Sequence, residues 1–414
     1  MREKLKNIIN SSSIRNSFLL MIGTGISQFI PVLFSPLLTR IYSPSNFGDL
    51  AIFMAFSLII GMGASGMYEY AIVLPENDDD AQNIIKLITI LALSISVLTG
   101  IVFYVVSWFI ELDFFYFLLP FSIFFTVCYN VISYWYNRMK KYKTLNLIRI
   151  FQSVLIIGGS FIFYTVKNGL IYGYVLGGLF CFIIYLFNFI KQLRQVNLQK
   201  IRSLAIEYKK FPTLILPSSL MNTVSSYAPV FFIKRFYTSA QLGSFSMSNR
   251  VLTAPISVIS TAIGQVYFKN LSDYYNEKKY DLIKKTFLQS TYILCVISIF
   301  IFLPLFFFGE ELAIVIFGKA WKEAGEFIEI IALASMMKFI VSPLSTILIV
   351  KKELNKVARW QTIYFFTSMT IFIIGCFFSI KTLLWIYVIH ETILYAIYYY
   401  IMKSVINKTN NIYA

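Results

Sequence analysis

The sequence predicts an all-α integral membrane protein of about twelve transmembrane helices, in two bundles of about six helices each, related by a parallel internal repeat. Three observations carry that prediction: a composition too apolar for water, a series of apolar runs of membrane-spanning length, and a motif that occurs twice. Hydrophobic residues make up 58% of the 414 residues and charged residues only 14%, against about 25% charged in soluble domains. The formal net charge of +16 is spread as short Lys and Arg clusters between apolar runs, the arrangement that sets membrane topology. That distribution argues against nucleic acid as a partner and leaves lipid as the surrounding solvent. Cys128, Cys181, Cys295 and Cys376 all lie in apolar runs, with no CxxC or metal-ligand spacing, and read as packing residues.

A helix needs about 20 apolar residues to cross the hydrocarbon core. By that rule spans fall near 17–38, 47–74, 84–109, 114–136, 145–166 and 169–190, then near 212–236, 240–267, 286–308, 326–350, 359–380 and 383–403. The chain thus divides into an N-terminal lobe (1–190), a basic cytoplasmic linker (191–211) and a C-terminal lobe (212–414). The first apolar run is too long for a signal-peptide core and has no A-x-A site nearby, so it is expected to remain as the first span. The tightest joins are Lys167-Asn168-Gly169 and Lys381; without them the count drops to ten or eleven. Placing the N-terminus in the cytoplasm gives that side a roughly four-to-one excess of Lys and Arg, so both termini are expected there. The inner loop bearing Glu76, Asp78, Asp79 and Asp80 fits poorly, but acidic residues count little in the rule.

The repeat is local and in register. Arg40-Ile-Tyr-Ser-Pro-Ser-Asn-Phe-Gly48 recurs 195 residues on as Arg235-Phe-Tyr-Thr-Ser-Ala-Gln-Leu-Gly243. In each lobe it joins the first span to the second. Arg40 and Arg235 suit a helix C-terminus, Ser43 or Thr238 can cap the next helix, Pro44 suits its first turn, and Gly48 and Gly243 allow helices to approach closely. A looser echo pairs Lys140-Lys141 and Arg149 with Lys351-Lys352 and Arg359. Two copies inserted with the same orientation imply a pseudo-two-fold axis along the membrane normal and a central cleft.

The segment Leu37-Leu-Thr-Arg-Ile-Tyr-Ser-Pro-Ser-Asn-Phe-Gly48 resembles the first-loop signature of bacterial polysaccharide-export flippases, the O-antigen translocases of the MATE-like exporter superfamily. So do Tyr68-Glu-Tyr-Ala-Ile-Val-Leu-Pro75, Gly243-Ser-Phe-Ser-Met-Ser-Asn-Arg-Val-Leu-Thr-Ala-Pro255, Ala262-Ile-Gly-Gln-Val-Tyr-Phe268 and Phe317-Gly-Lys-Ala-Trp321, in the family's order. The resemblance implies a MATE-like fold working by alternating access, in a bacterial inner membrane. It also implies a substrate, an oligosaccharide on undecaprenyl diphosphate moved from the cytoplasmic to the periplasmic leaflet, for O-antigen or a related surface polysaccharide. The polymerase and chain-length regulator of the same pathway would then be partners, with no cofactor and no metal.

A carrier of that headgroup needs buried cations for diphosphate, and a cation at mid-membrane costs roughly 2.5–3.5 kcal/mol. Arg250 and Lys338 lie near the middle of spans 240–267 and 326–350, and Glu391, beside His390, lies in 383–403. Either the two cations face the cleft and bind diphosphate, or Glu391 neutralises one of them in a structural ion pair; Glu391 is also a charge-coupling candidate. His390 has no second His or Cys nearby, which argues against a metal. In the first lobe the middle of the spans offers uncharged groups. Gln28 and Asn130 are candidates for sugar contacts or interhelical hydrogen bonds, and Arg15 for a diphosphate contact on entry or lipid snorkelling. Glu69 is a gating or charge-coupling candidate near Lys86. Tyr134, Trp135 and Tyr136 sit where an aromatic belt is expected. Pro31, Pro36, Pro217, Pro229, Pro255 and Pro343 interrupt spans and should kink them.

Two rival functions remain at the level of sequence. A MATE-type exporter of cationic drugs would want acidic residues at mid-span in the first lobe, which has none. A membrane polymerase or polyprenyl glycosyltransferase would want a large extramembrane loop, and the longest outer loop, about 309–325, is short.

Overall fold

The computed structural model describes residues 12–193 and 197–413, with side chains left out at 12–22, 192–193, 261–262 and 408–413. All described secondary structure is helical. In chain order the helices are α1 (Ser12–Leu33), α2 (Ser35–Ile41), α3 (Pro44–Ser65), α4 (Asp78–Val106), α5 (Leu119–Arg138), α6 (Tyr142–Ile162), α7 (Gly169–Leu193) and α8 (Leu198–Glu207). They continue with α9 (Leu216–Phe236), α10 (Ser239–Pro255), α11 (Thr261–Asn276), α12 (Tyr280–Phe317), α13 (Lys322–Leu344), α14 (Thr346–Val350), α15 (Leu354–Gly375) and α16 (Ile380–Tyr413).

Among the described residues, nine helices are long and apolar enough to cross a membrane by length and composition. Each of the twelve expected spans overlaps a long helix, and the three outside the nine are α1, α9 and α15. The physical reason is polarity: α9 carries Ser218, Ser219, Asn222, Thr223, Ser225 and Ser226, and α15 carries Lys356 and Arg359. The tight joins are real turns. Asn168 takes a left-handed backbone (φ 64°) between α6 and α7, and α15 gives way to α16 across 376–379.

The chain forms two compact units: Met1–Phe34 with Asp49–Tyr227, and Ser35–Gly48 with Ala228–Ala414. In the first, α6 packs on α7 and α1, α5 packs on α4 and α7, and the linker helix α8 packs on α4. Close approach of α6 and α7 depends on Gly159 and Gly173; a Cβ on Gly159 would lie 2.8 Å from the Gly173 Cα. In the second, α13 packs on α10, α12 and α16, and α15 packs on α16.

Prolines mark several breaks in the helices. Single π-helical turns occupy Phe211–Ile215, which contains Pro212, and Ile256–Ser260, just after Pro255. Pro304 precedes a non-helical residue, Phe308, inside α12. Such turns leave backbone carbonyls without their usual partners.

The duplicated motif folds as anticipated in its backbone and differently in its caps. Thr238 caps α10 in a full capping box with Gln241. In the other copy the roles shift: the Ser43 hydroxyl and backbone N–H both donate to Asn46 Oδ1, at 2.8 and 3.2 Å. The two repeat glycines pack against each other within the second unit. A Cβ on Gly243 would lie 1.7 Å from the Pro44 carbonyl oxygen, and one on Gly48 would lie 2.1 Å from that of Ser239. The looser echo has a backbone basis too, since Lys140 and Lys352 both adopt φ near +60° (55° and 59°).

Candidate functional site

In the second unit the sequence-predicted charges sit on three helices. Arg250 is half-buried in the last turns of α10, whose Leu242, Phe245, Met247 and Leu252 are buried. Its Nη1 donates to Ser35 Oγ at 3.3 Å, and its guanidinium carbon lies 5.7 Å from the centre of the Phe47 ring. Phe47 is itself fixed edge-on by Trp321, with ring centres 5.0 Å apart, and Trp321 Nε1 donates to the Thr39 carbonyl at 3.1 Å. The aromatic pair therefore presents a ring face to the cation. Among the described residues Arg250 forms no ion pair; the nearby carboxylate of Glu323 is engaged by Gln241 Nε2 at 3.1 Å and Ser244 Oγ at 3.4 Å.

Lys338 is half-buried on α13, and Glu391 is buried on α16, the helix packed against it. The two are within electrostatic reach, but no direct salt bridge joins them among the described residues. The Tyr364 phenol is within electrostatic reach of the Glu391 carboxylate, whose Oε1 is buried without a hydrogen-bond partner. His390 contacts Thr367 Oγ1 through Nε2 at 2.9 Å, and its Nδ1 lies 3.8 Å from Glu391 Oε1, beyond hydrogen-bond distance. Trp360 stacks on Tyr398 at 4.2 Å between ring centres, alongside Tyr364. A lone carboxylate in this aromatic wall is the kind of group that takes a proton or a counter-charge.

In the first unit, helix α3 ends at Ser65, short of the expected span to 74. Gly66 and Met67 take positive φ, and Tyr68–Val73 forms a 3-10 turn. Glu69 thus lies beyond the span, on this turn, and is only 4% exposed. Its Oε2 has no hydrogen-bond partner, and burial holds its pKa above the ordinary carboxylate value, opposed by a hydrogen bond from Ser65. Lys86 Nζ donates to Asn83 Oδ1 at 3.1 Å. Tyr70 and Tyr134, with ring centres 5.0 Å apart, and Phe211, stacked on Tyr70, surround the turn. Gln28 is exposed and Asn130 half-buried, and neither makes a side-chain hydrogen bond among the described residues. The side chain of Arg15 lies outside the described ones.

Sequence reasoning passed over two groups. Arg138, at the end of α5, is clamped to the acidic loop: it donates to the carbonyls of Ile72, Pro75 and Glu76 and pairs with Asp78 Oδ1 at 2.9 Å. Lys200, on the linker helix α8, pairs with Asp79 and Asp80, each at 2.6 Å. Three of the four carboxylates of the loop that fitted charge topology poorly are therefore paired locally, by two cations. The second group is Arg149 on α6, whose position inside the 145–166 run was the available signal. Among the described residues no cluster of three or more His, Cys, Asp or Glu side chains could hold a metal.

The sequence profile of a family described as "Polysaccharide biosynthesis protein" matches residues 37–326. The teichuronic acid biosynthesis protein TuaB of Bacillus subtilis (strain 168) is 20% identical over 50% of this chain and 43% of its own length. An uncharacterized membrane protein in the cps region of Klebsiella pneumoniae is 23% identical over 43% of this chain and 36% of its own. The matched part of the chain thus spans less than half the length of either relative. Among solved structures, a multidrug resistance MATE family transporter of the MOP superfamily, in an inward-facing conformation, superposes with a TM-score of 0.65. That match has 13% identity and covers 94% of this chain and 96% of the other. At that identity the likeness speaks for the fold alone. The chain is a multi-pass membrane protein of MATE-like fold and belongs to the polysaccharide biosynthesis protein family.

Proposed function

We propose that the chain is a flippase that carries an undecaprenyl-diphosphate-linked oligosaccharide across a bacterial inner membrane by alternating access, with both termini in the cytoplasm. The observation that carries this reading is Arg250. A cation in this apolar helix is costly, and a serine hydroxyl and a ring face, its partners here, do not neutralise it. An anionic ligand would, and a diphosphate offers the oxygens that a guanidinium fork binds best. Lys338 is assigned to the same headgroup, with Arg15 on entry and Gln28 and Asn130 toward the sugar. Glu391 and Glu69 are assigned to charge coupling. Family membership and the relatives, one of teichuronic acid biosynthesis and one in a cps region, support a surface-polysaccharide substrate.

Deleting the gene should strand lipid-linked oligosaccharide on the cytoplasmic face and abolish the surface polymer; normal polymer in the deletion strain overturns the reading. Complementation with Arg250→Gln should restore membrane insertion and leave export reduced about tenfold or more. Full export by both Arg250→Gln and Lys338→Gln removes these two as headgroup ligands.

A further inference from the structure

The first unit also contains a cation with no ion pair among the described residues. Arg149 lies about two turns into α6, between the buried Leu145 and Ile148 on one side and Ser153 on the other. Asn146, Arg149 and Ser153 follow the i, i+3, i+7 spacing of one helix face, and that face meets α1. The Ser153 hydroxyl donates to the Ser27 carbonyl at 2.9 Å, and the Arg149 Nη1 donates to Thr24 Oγ1. The Asn146 side chain fills the space that a side chain at position 23 would take: a Cβ on Gly23 would lie 1.9 Å from Asn146 Cγ.

An interhelical hydrogen bond accounts for the serine in this stripe, and packing against Gly23 for the asparagine. Neither accounts for a full positive charge. A glutamine would bond Thr24 as well and would cost far less to insert. Arg149 forms no ion pair among the described residues, and its Nε is buried with no hydrogen-bond partner. With Nη1 committed to Thr24, the Nε–Nη2 edge is left, and that edge accepts two oxygens of one oxyanion side by side. The echo does not demand the charge in this setting either, because Arg359 is exposed.

We propose that Arg149 is a second anion-binding group, in the first unit, whose Nε–Nη2 edge takes a phosphate. For the substrate as source of that phosphate, the inference rests on the carrier reading above; a resident anionic lipid is the other source of the same chemistry. The full chain in phosphatidylcholine nanodiscs is titrated with farnesyl diphosphate, and retention of added phosphatidylglycerol is followed by native mass spectrometry. Arg149→Gln should weaken farnesyl diphosphate binding about tenfold, and Arg149→Lys, which keeps the charge but not the fork, should fall between. If the phosphate belongs to a lipid, the diphosphate affinity stays and retained phosphatidylglycerol is lost instead. If Arg149→Gln changes neither, while its melting temperature and elution match the wild type, the proposal is overturned. Failure of the wild-type protein to bind farnesyl diphosphate counts against the carrier reading alone, since lipid retention still decides the role of Arg149.

Discussion

The two copies of the motif share a sequence pattern and do different work. Copy two, 235–243, starts its helix with a full capping box, Thr238 and Gln241 satisfying each other's backbone donors, while Tyr237 bonds the Gly375 and Phe378 carbonyls and Gln241 bonds Glu323. Copy one, 40–48, reaches outward: Arg40 Nη2 donates to the Val315 carbonyl at 3.2 Å, and Phe47 sits between Trp321 and Arg250. What the copies share is backbone geometry, and what they do not share is side-chain symmetry. The glycine that ends each motif is held by contact with the other copy, so both must stay small together.

The largest expected effect breaks that shared contact. Gly243→Ala places a Cβ against the Pro44 carbonyl, a backbone atom that cannot swing aside. The cost should reach the upper end of overpacking penalties, about 3 kcal/mol or more, with folded protein lost from membrane extracts. Gly63→Ala is the control, as nothing lies within 4 Å of the added carbon, and removing a helix-interior glycine should be neutral or stabilising. Equal melting temperatures for the two variants would show that the paired glycines do not hold the motif copies together.

A smaller effect separates the joins that follow the fourth span of each half. In the first half Arg138, whose side chain is only 11% exposed, ties the end of α5 to three carbonyls of the acidic loop. Arg138→Gln should cost about 2 kcal/mol, mostly through the carbonyl contacts, because Asp78 is largely exposed and that pair is screened. Lys200→Gln removes an exposed pair with Asp79 and a half-buried one with Asp80 and should cost about 1 kcal/mol or less, below Arg138→Gln. In the second half Lys351 Nζ donates to the Val405 carbonyl at 3.1 Å, and Lys351→Gln should cost less than Arg138→Gln. Thermal melts in detergent rank the three, and a reversed order would mean that the clamp is not what fixes the acidic loop.

Span positions and the repeat were legible because membrane insertion writes them into composition and spacing, one helix at a time. Helix ends were less legible. The run through Ser65 to Leu74 stays apolar, and only Gly66 hinted that the helix stops and turns before Glu69. The pairing of Asp78, Asp79 and Asp80 was hidden for another reason. Arg138 and Lys200 lie about 60 and 120 residues away, and sequence spacing carries no record of contacts made by folding. For the candidate site, Arg250 stood out because one cation in an apolar run is conspicuous. Arg149 did not, since a cation near the end of a span reads equally well as a residue reaching for the interface. The burial of its orphaned Nε is a fact of packing.

The smallest effect contrasts the sign of two charges that lie outside the spans, one per half: buried Glu69 and half-buried Lys351. Burial raises the pKa of Glu69, so the folded chain holds that proton when the unfolded chain has already released it. Stability from this group is then full below the ordinary carboxylate pKa and is lost as pH rises through the raised one. Lys351 runs the other way: burial pushes its pKa down to about 8, so the unfolded chain is the one holding the extra proton above that pH. The cost of burying its charge is present below about pH 8 and is relieved as pH climbs toward the ordinary lysine range. Melting temperature against pH should therefore fall less steeply above pH 5 in Glu69→Gln than in wild type, and rise less above pH 8 in Lys351→Gln. If Glu69→Gln leaves the acid-side slope unchanged, the buried carboxylate has found a partner, and the turn at Tyr68–Val73 holds its charge in another way.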